Sequence, residues 1–129
     1  MSGYVLDASV VLAYLWKENG WERVEQVLLS EPTLISAVNV AEVACKALER
    51  GIPEAKARPM IDNLGMDQHG FDQEMSWRTA LLRSSTRAWG LSLGDRACLA
   101  LAQRQEYVAL TADQSWLELD VGIQIECIR

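Results

Sequence analysis

Apolar runs and helical stripes alternate along the chain. Tyr4-Val5-Leu6 is a short apolar run that stops at Asp7, and it predicts a buried strand. Val11, Leu12, Leu15 and Trp16 follow at helical spacing, with Ser9 as the expected N-cap and Asn19-Gly20 as the break. A second helix places Val24, Val27 and Leu28 on one face and Glu22, Arg23, Glu25 and Gln26 on the other, and Glu31-Pro32 ends it. Thr33–Ser36 predicts a second strand. Val40, Val43, Ala44, Ala47 and Leu48 give a helix ending at Gly51, and Pro53 opens another that runs to about Leu64.

Residues 66–71 read as a third strand. Residues 72–87 read as a helix whose apolar part is Met75, Ala80, Leu81 and Leu82. A loop from Gly90 to Gly94 precedes a helix over 95–105 that is apolar on nearly every side, and so is expected to be buried. Residues 107–110 form a fourth strand. A short helical turn through Trp116 and Leu117 follows Asp113, and residues 123–127 alternate as a half-exposed edge strand. Strands alternating with helices predict an α/β fold with a mainly parallel sheet flanked by helices. There is no internal repeat or linker, so one domain over 1–129 is expected.

Composition narrows the setting. Of 129 residues, 50% are hydrophobic, 23% are charged and three are proline, which excludes a disordered or collagen-like chain. The apolar stretch from Ala8 to Trp16 is shorter than the about 20 residues a bilayer needs. It follows Asp7 rather than a basic segment, so neither export nor membrane association is expected. The net charge of −6 argues against a broad basic surface for nucleic acid, unless some carboxylates bind cations. Three cysteines without a CxxC pair argue against a disulfide framework or structural zinc. Cys45 and Cys98 read as small core residues, and a reducing cytoplasm fits best.

Four acids hold related positions in this reading. Asp7 follows the first strand, Glu42 lies in the first turn of the helix after the second, Asp95 opens the buried helix, and Asp113 follows the fourth strand. A right-handed parallel arrangement brings all four to the carboxyl edge of the sheet, where open α/β folds bind ligands. Taken singly, each has a local reading. Asn39 to Glu42 and Ser92 to Asp95 have the form of capping boxes, and Asp113 suits an N-cap. Taken together, four close carboxylates repel unless a cation lies among them. Hard oxygen donors suit Mg²⁺ or Mn²⁺, and such ions serve phosphodiester hydrolysis.

Val5-Leu6-Asp7-Ala8-Ser9, Asn39-Val40-Ala41-Glu42-Val43, the segment from Leu91 to Ala100, and Leu110-Thr111-Ala112-Asp113 resemble the PIN-domain nucleases, in particular the VapC-type ribonuclease toxins of bacterial toxin–antitoxin pairs. The resemblance spans almost the whole chain, in order. It implies a PIN-like three-layer fold with strand order 3-2-1-4-5 and a metal-dependent endoribonuclease using Mg²⁺ or Mn²⁺. It also implies a homodimer and an antitoxin that inserts a C-terminal segment at the active site. By position, Asp7, Glu42, Asp95 and Asp113 match the family's acidic quartet, with Asp7 and Asp95 as the principal metal ligands. Ser9 and Thr111 match the hydroxyls that hold the carboxylates in place. The implied reaction is in-line attack of water on phosphorus, leaving a 3′-hydroxyl and a 5′-phosphate.

RNA phosphates are then expected to meet a few local arginines: Arg96 beside Asp95, and Arg83 with Arg87 at i, i+4 spacing. Trp16 and Trp21 flank a helix break and are candidates for contact with the antitoxin or a second subunit. His69 reads as a strand residue rather than a base. Two rival classes remain. One is a PIN-fold module that binds without turnover. The other is a receiver-type signalling domain, which needs paired acids after strand one and a lysine after strand five. The chain has one acid after its first strand, and its lysines are Lys17, Lys46 and Lys56, all early.

Overall fold

The computed structural model describes residues 3–129. The sheet has five strands: β1 (Tyr4–Leu6), β2 (Thr33–Ser36), β3 (Asp67–His69), β4 (Val108–Thr111) and β5 (Ile125–Cys127). Their order is β3-β2-β1-β4-β5 and every pairing is parallel. The helices are α1 (Ala8–Leu15), α2 (Trp21–Ser30), α3 (Ala37–Glu49), α4 (Glu54–Asp62), α5 (Gln73–Leu81), α6 (Arg83–Thr86) and α7 (Leu93–Gln105). Short 3₁₀ turns cover Arg87–Trp89 and Gln114–Glu118.

The period of two along each central strand creates two cores. Val5, Leu34 and Ala109 point into one with Met75, Leu99, Leu101 and Trp116. Leu6, Ile35 and Leu110 point into the other with Val11, Val24, Val27, Val43 and Ile61. Helices therefore cover both faces of the sheet, which is why the inner strands are continuous apolar runs while the outer β3 reads Asp-Gln-His. Ala97 through Ala102 are all buried, so α7 is enclosed on nearly every side, as its sequence implied.

The local structure departs from the sequence reading at several points. Asp7, not Ser9, occupies the N-cap position of α1, and Ser9 lies inside the helix. Ser36 caps α3 through Val38 N–H, so the cap lies three residues before Asn39 and Glu42 falls in the helix's second turn. The helix read over 72–87 breaks at Leu82, leaving α5, α6 and a 3₁₀ turn, so Arg83 and Arg87 share no continuous helical face. Ala80 and Leu81 are exposed there, and buried Met75, Thr79 and Leu82 form the inward stripe. Cys45 is exposed, whereas Cys98 is buried. α7 begins at Leu93 inside the segment read as a loop, and β5 is shortened to Ile125–Cys127.

Candidate functional site

Asp7 is the buried acid of the structure, with 4% of its surface exposed. It sits where β1 ends, and its N–H still donates to the carbonyl of Leu110 on β4 at 3.0 Å. Its carboxylate caps no helix N–H. Instead Oδ2 accepts from Ser9 Oγ at 2.7 Å and from Thr111 Oγ1 at 3.2 Å. Ser9 Oγ in turn accepts from Ala112 N–H, and Thr111 Oγ1 accepts from Asp113 N–H. The start of α1 and the end of β4 are thus tied together around one carboxylate.

No cationic side chain pairs with Asp7 among the described residues. Burial raises its pKa to about 7, against the lowering from Ser9 and Thr111, with the charges of Asp95 and Glu42 adding to the rise. Those same two acids, with Asp7, also push the buried Cys98 thiol up, behind the larger effect of burial. Asp7, Glu42 and Asp95 therefore share one electrostatic neighbourhood.

Asn39 and Gly94 complete that neighbourhood, and the sequence reading missed both. Asn39 is fully buried. Its Nδ2 donates to Glu42 Oε1 at 2.8 Å and to the carbonyl of Gly94 at 3.0 Å, which ties α3 to the first turn of α7. A Cβ on Gly94 would collide with the Glu42 carboxylate, so glycine makes the close approach of the two helices possible. The Asn-x-x-Glu spacing was visible in the sequence, but it read as a cap because the true helix start at Ser36 was not recognised.

The other two acids are engaged in caps. Asp95 forms a capping box with Ser92: Asp95 N–H donates to Ser92 Oγ, and Ser92 N–H donates to Asp95 Oδ2 at 2.9 Å. Asp113 Oδ1 accepts from both the N–H and the hydroxyl of Ser115. Its link to Asp7 runs through Thr111 rather than through charge. As placed, no three His, Cys, Asp or Glu side chains among the described residues have the arrangement to hold a metal ion.

The chemistry of the donor set nonetheless fits a hard divalent cation. Among the described residues, Asp7 is a desolvated carboxylate with no countercharge, Glu42 and Asp95 lie in its field, and Asn39 Oδ1 is buried without a hydrogen-bond partner. Of the arginines read as phosphate contacts, Arg96 donates from Nη1 to the carbonyl of Thr79, while Arg83 and Arg87 are exposed. Trp16 and Trp21 are half-buried, each beneath a cation: Arg50 lies 4.0 Å from the Trp16 ring and Lys17 3.9 Å from the Trp21 ring. His69 is half-buried in β3.

A family model for the PIN domain matches residues 4–122. A comparison with curated proteins gives no match. Among solved structures, the chain is similar to one in the DNA-bound VapBC from Salmonella typhimurium, with 18% identity, a TM-score of 0.76 and all of both chains covered. It is similar to one in a toxin–antitoxin complex from Klebsiella pneumoniae, with 18% identity, a TM-score of 0.74 and 98% of each chain covered. It also resembles one in FitAcB from Neisseria gonorrhoeae, with 21% identity, a TM-score of 0.67 and 97% of each chain covered.

Proposed function

The chain belongs to the PIN domain family, and from that premise we propose that it is a metal-dependent endoribonuclease, the toxin of a toxin–antitoxin pair. The observation that carries the reading is Asp7: a buried carboxylate with no cationic partner among the described residues, fixed by two hydroxyls at the carboxyl end of the central strand. Asp7, Glu42 and Asp95 would hold Mg²⁺ or Mn²⁺, and the ion would supply charge neutralisation and an activated water for phosphodiester hydrolysis. The chain's own residues set the stage for this. Ser9 and Thr111 orient Asp7, Asn39 orients Glu42, and Gly94 leaves room for that carboxylate. The backbone N–H of Asp113 helps place Thr111, while its carboxylate caps the following turn at Ser115.

Toxin–antitoxin complexes among the structural relatives support a cognate antitoxin as partner. A homodimeric toxin is part of the same proposal and rests on the family resemblance alone. Among the described residues no helix is long and apolar enough to cross a membrane. A second reading, a PIN-fold module that binds RNA without turnover, draws on the caps that occupy Asp95 and Asp113. One assay separates the two. Wild type should cleave single-stranded RNA with Mg²⁺ or Mn²⁺, and neither wild type in chelator nor Asp7→Asn should. Metal-independent cleavage refutes the metal-dependent mechanism, and no cleavage under any condition refutes the nuclease reading.

A further inference from the structure

We infer that the cleft between α1 and α3 is the track along which the RNA backbone reaches the carboxylates, with Lys46 and Arg50 as its phosphate contacts; this assignment rests on the ribonuclease reading above. The problem it answers is electrostatic. A polyanion must approach an acidic edge on a chain of net charge −6, which requires positive charge close to that edge.

Six of the twelve cations are engaged elsewhere: Arg23, Arg58, Arg78, Arg104 and Arg129 each form an ion pair, and Arg96 is bound to the Thr79 carbonyl. Of the other six, Lys46 and Arg50 are the ones that line the clefts beside the carboxylates. Lys46 meets only Glu49, at 3.8 Å, with both side chains about two-thirds exposed, a pairing that water screens. Arg50 has no ion pair among the described residues, and its guanidinium is held against the face of Trp16.

Their placement links them to the site. One cleft of about 300 Å³ is lined by Ser9 and Leu12 of α1, by Trp16 at its C-cap, by Lys46 and Arg50, and by Arg129 with its ion-pair partner Glu18, so the cations outnumber the acid there. Its Ser9 is the residue that donates to Asp7. A second cleft is lined by Glu42, Ser92 and Gly94, and Lys46 borders both. Glu42 and Lys46 on α3 and Arg50 at its C-cap recur every four residues, so acid and two cations lie along one side of the helix over about 12 Å. That spacing lets a single strand lie along α3 with one phosphate at the carboxylates and its neighbours on the cations. Contacts of this kind read the backbone and not the bases, so the track should accept any sequence.

The test is the binding of a fluorescein-labelled single-stranded RNA 12-mer, followed by anisotropy in chelator, so that the result does not depend on cleavage. Lys46→Ala with Arg50→Met should weaken binding about tenfold or more at low salt, and should lower the dependence of log K on log salt by about 1.4, the value for two phosphate contacts on a single strand. Methionine keeps a packed side chain over Trp16, and Lys46→Ala alone, at an exposed position, should give about half the change in slope. Arg58→Ala on α4 should leave binding unchanged. Unchanged affinity and slope in the double variant would overturn the track. So would a larger loss from Arg83→Ala with Arg87→Ala, which would move the path to the other flank. Stability lost without any change in binding would reduce Lys46 and Arg50 to partners of the helix dipole. Absence of metal-dependent cleavage in wild type would refute the ribonuclease reading while leaving the binding result intact.

Discussion

Two carboxylates in this molecule meet opposite fates. Glu126 on β5 is clamped by Arg23: Nε donates to Oε2 at 2.7 Å and Nη2 to Oε1 at 3.0 Å, while Nη2 also reaches the hydroxyl of Tyr4. Its pKa is lowered chiefly by those hydrogen bonds, and it serves to fasten α2 to β1 and β5. Asp7 is more deeply buried, has only hydroxyl donors, and has its pKa raised to about 7. A protein that needs an acid for architecture supplies a guanidinium with it. One that leaves a buried acid uncompensated bears a standing penalty, and such penalties concentrate at functional sites.

The largest effect expected from this contrast is on catalysis. Asp7→Asn and Asp95→Asn should each lower RNA cleavage by several orders of magnitude, measured at saturating Mg²⁺ or Mn²⁺, because each removes a charge from the cation's donor set. Glu126→Gln should leave the cleavage rate near wild type.

Stability should move the other way. Asp7 is protonated more readily in the folded chain than in the unfolded one, so its contribution to stability falls as pH rises from about 4 to about 7. The full penalty above that window is at most about 4 kcal/mol, at 1.36 kcal/mol per pKa unit. In chelator at pH 8, Asp7→Asn should therefore be more stable than wild type, with an advantage that shrinks through that window and is gone below pH 4. Chemical denaturation at several pH values measures this, and a destabilised variant at pH 8 would count against the account. Mg²⁺ should raise the melting temperature of wild type and have much less effect on Asp7→Asn.

A smaller effect comes from the contact between α3 and α7. Gly94→Ala should displace the Glu42 carboxylate, which is the free end of a flexible side chain. The stability cost should stay near 1 kcal/mol while the cleavage rate drops at least tenfold. Equal losses in both would make Gly94 a packing residue only.

The smallest change concerns the compensated acid. Arg23→Ala should cost about 1 kcal/mol at neutral pH, since both partners are about one-third exposed. The stabilisation from Glu126 belongs to pH values above the ordinary glutamate range and is lost as pH falls through its lowered pKa. The difference between Arg23→Ala and wild type should accordingly narrow in acid.

The parts of the structure that follow from periodicity were legible in the sequence. Buried runs such as Val5-Leu6 and Ala109-Leu110 announce central strands, and the all-round apolar stretch from Ala97 to Ala102 announces an enclosed helix. The order of the strands came from the family resemblance. Helix starts were harder. Ser36 was read as the end of a strand although it also caps α3, and that one misplacement turned Asn39 from a tether of Glu42 into a cap. The break at Leu82 left no signal of glycine or proline. Asp95 shows a deeper ambiguity: its capping box is real, and it still acts on Asp7. The pattern Glu42, Lys46, Arg50 was present at helical spacing, but only the cleft against α1 shows which cations border the acids.

Whether Asp7 is a buried acid that a cation compensates can be read from its carboxyl carbon, followed by NMR through a pH titration, first in chelator and then in Mg²⁺. The midpoint should be about 7 in chelator and should move to lower pH when Mg²⁺ is present. A midpoint in the ordinary aspartate range in chelator, or one that Mg²⁺ leaves unmoved, would contradict this reading of Asp7.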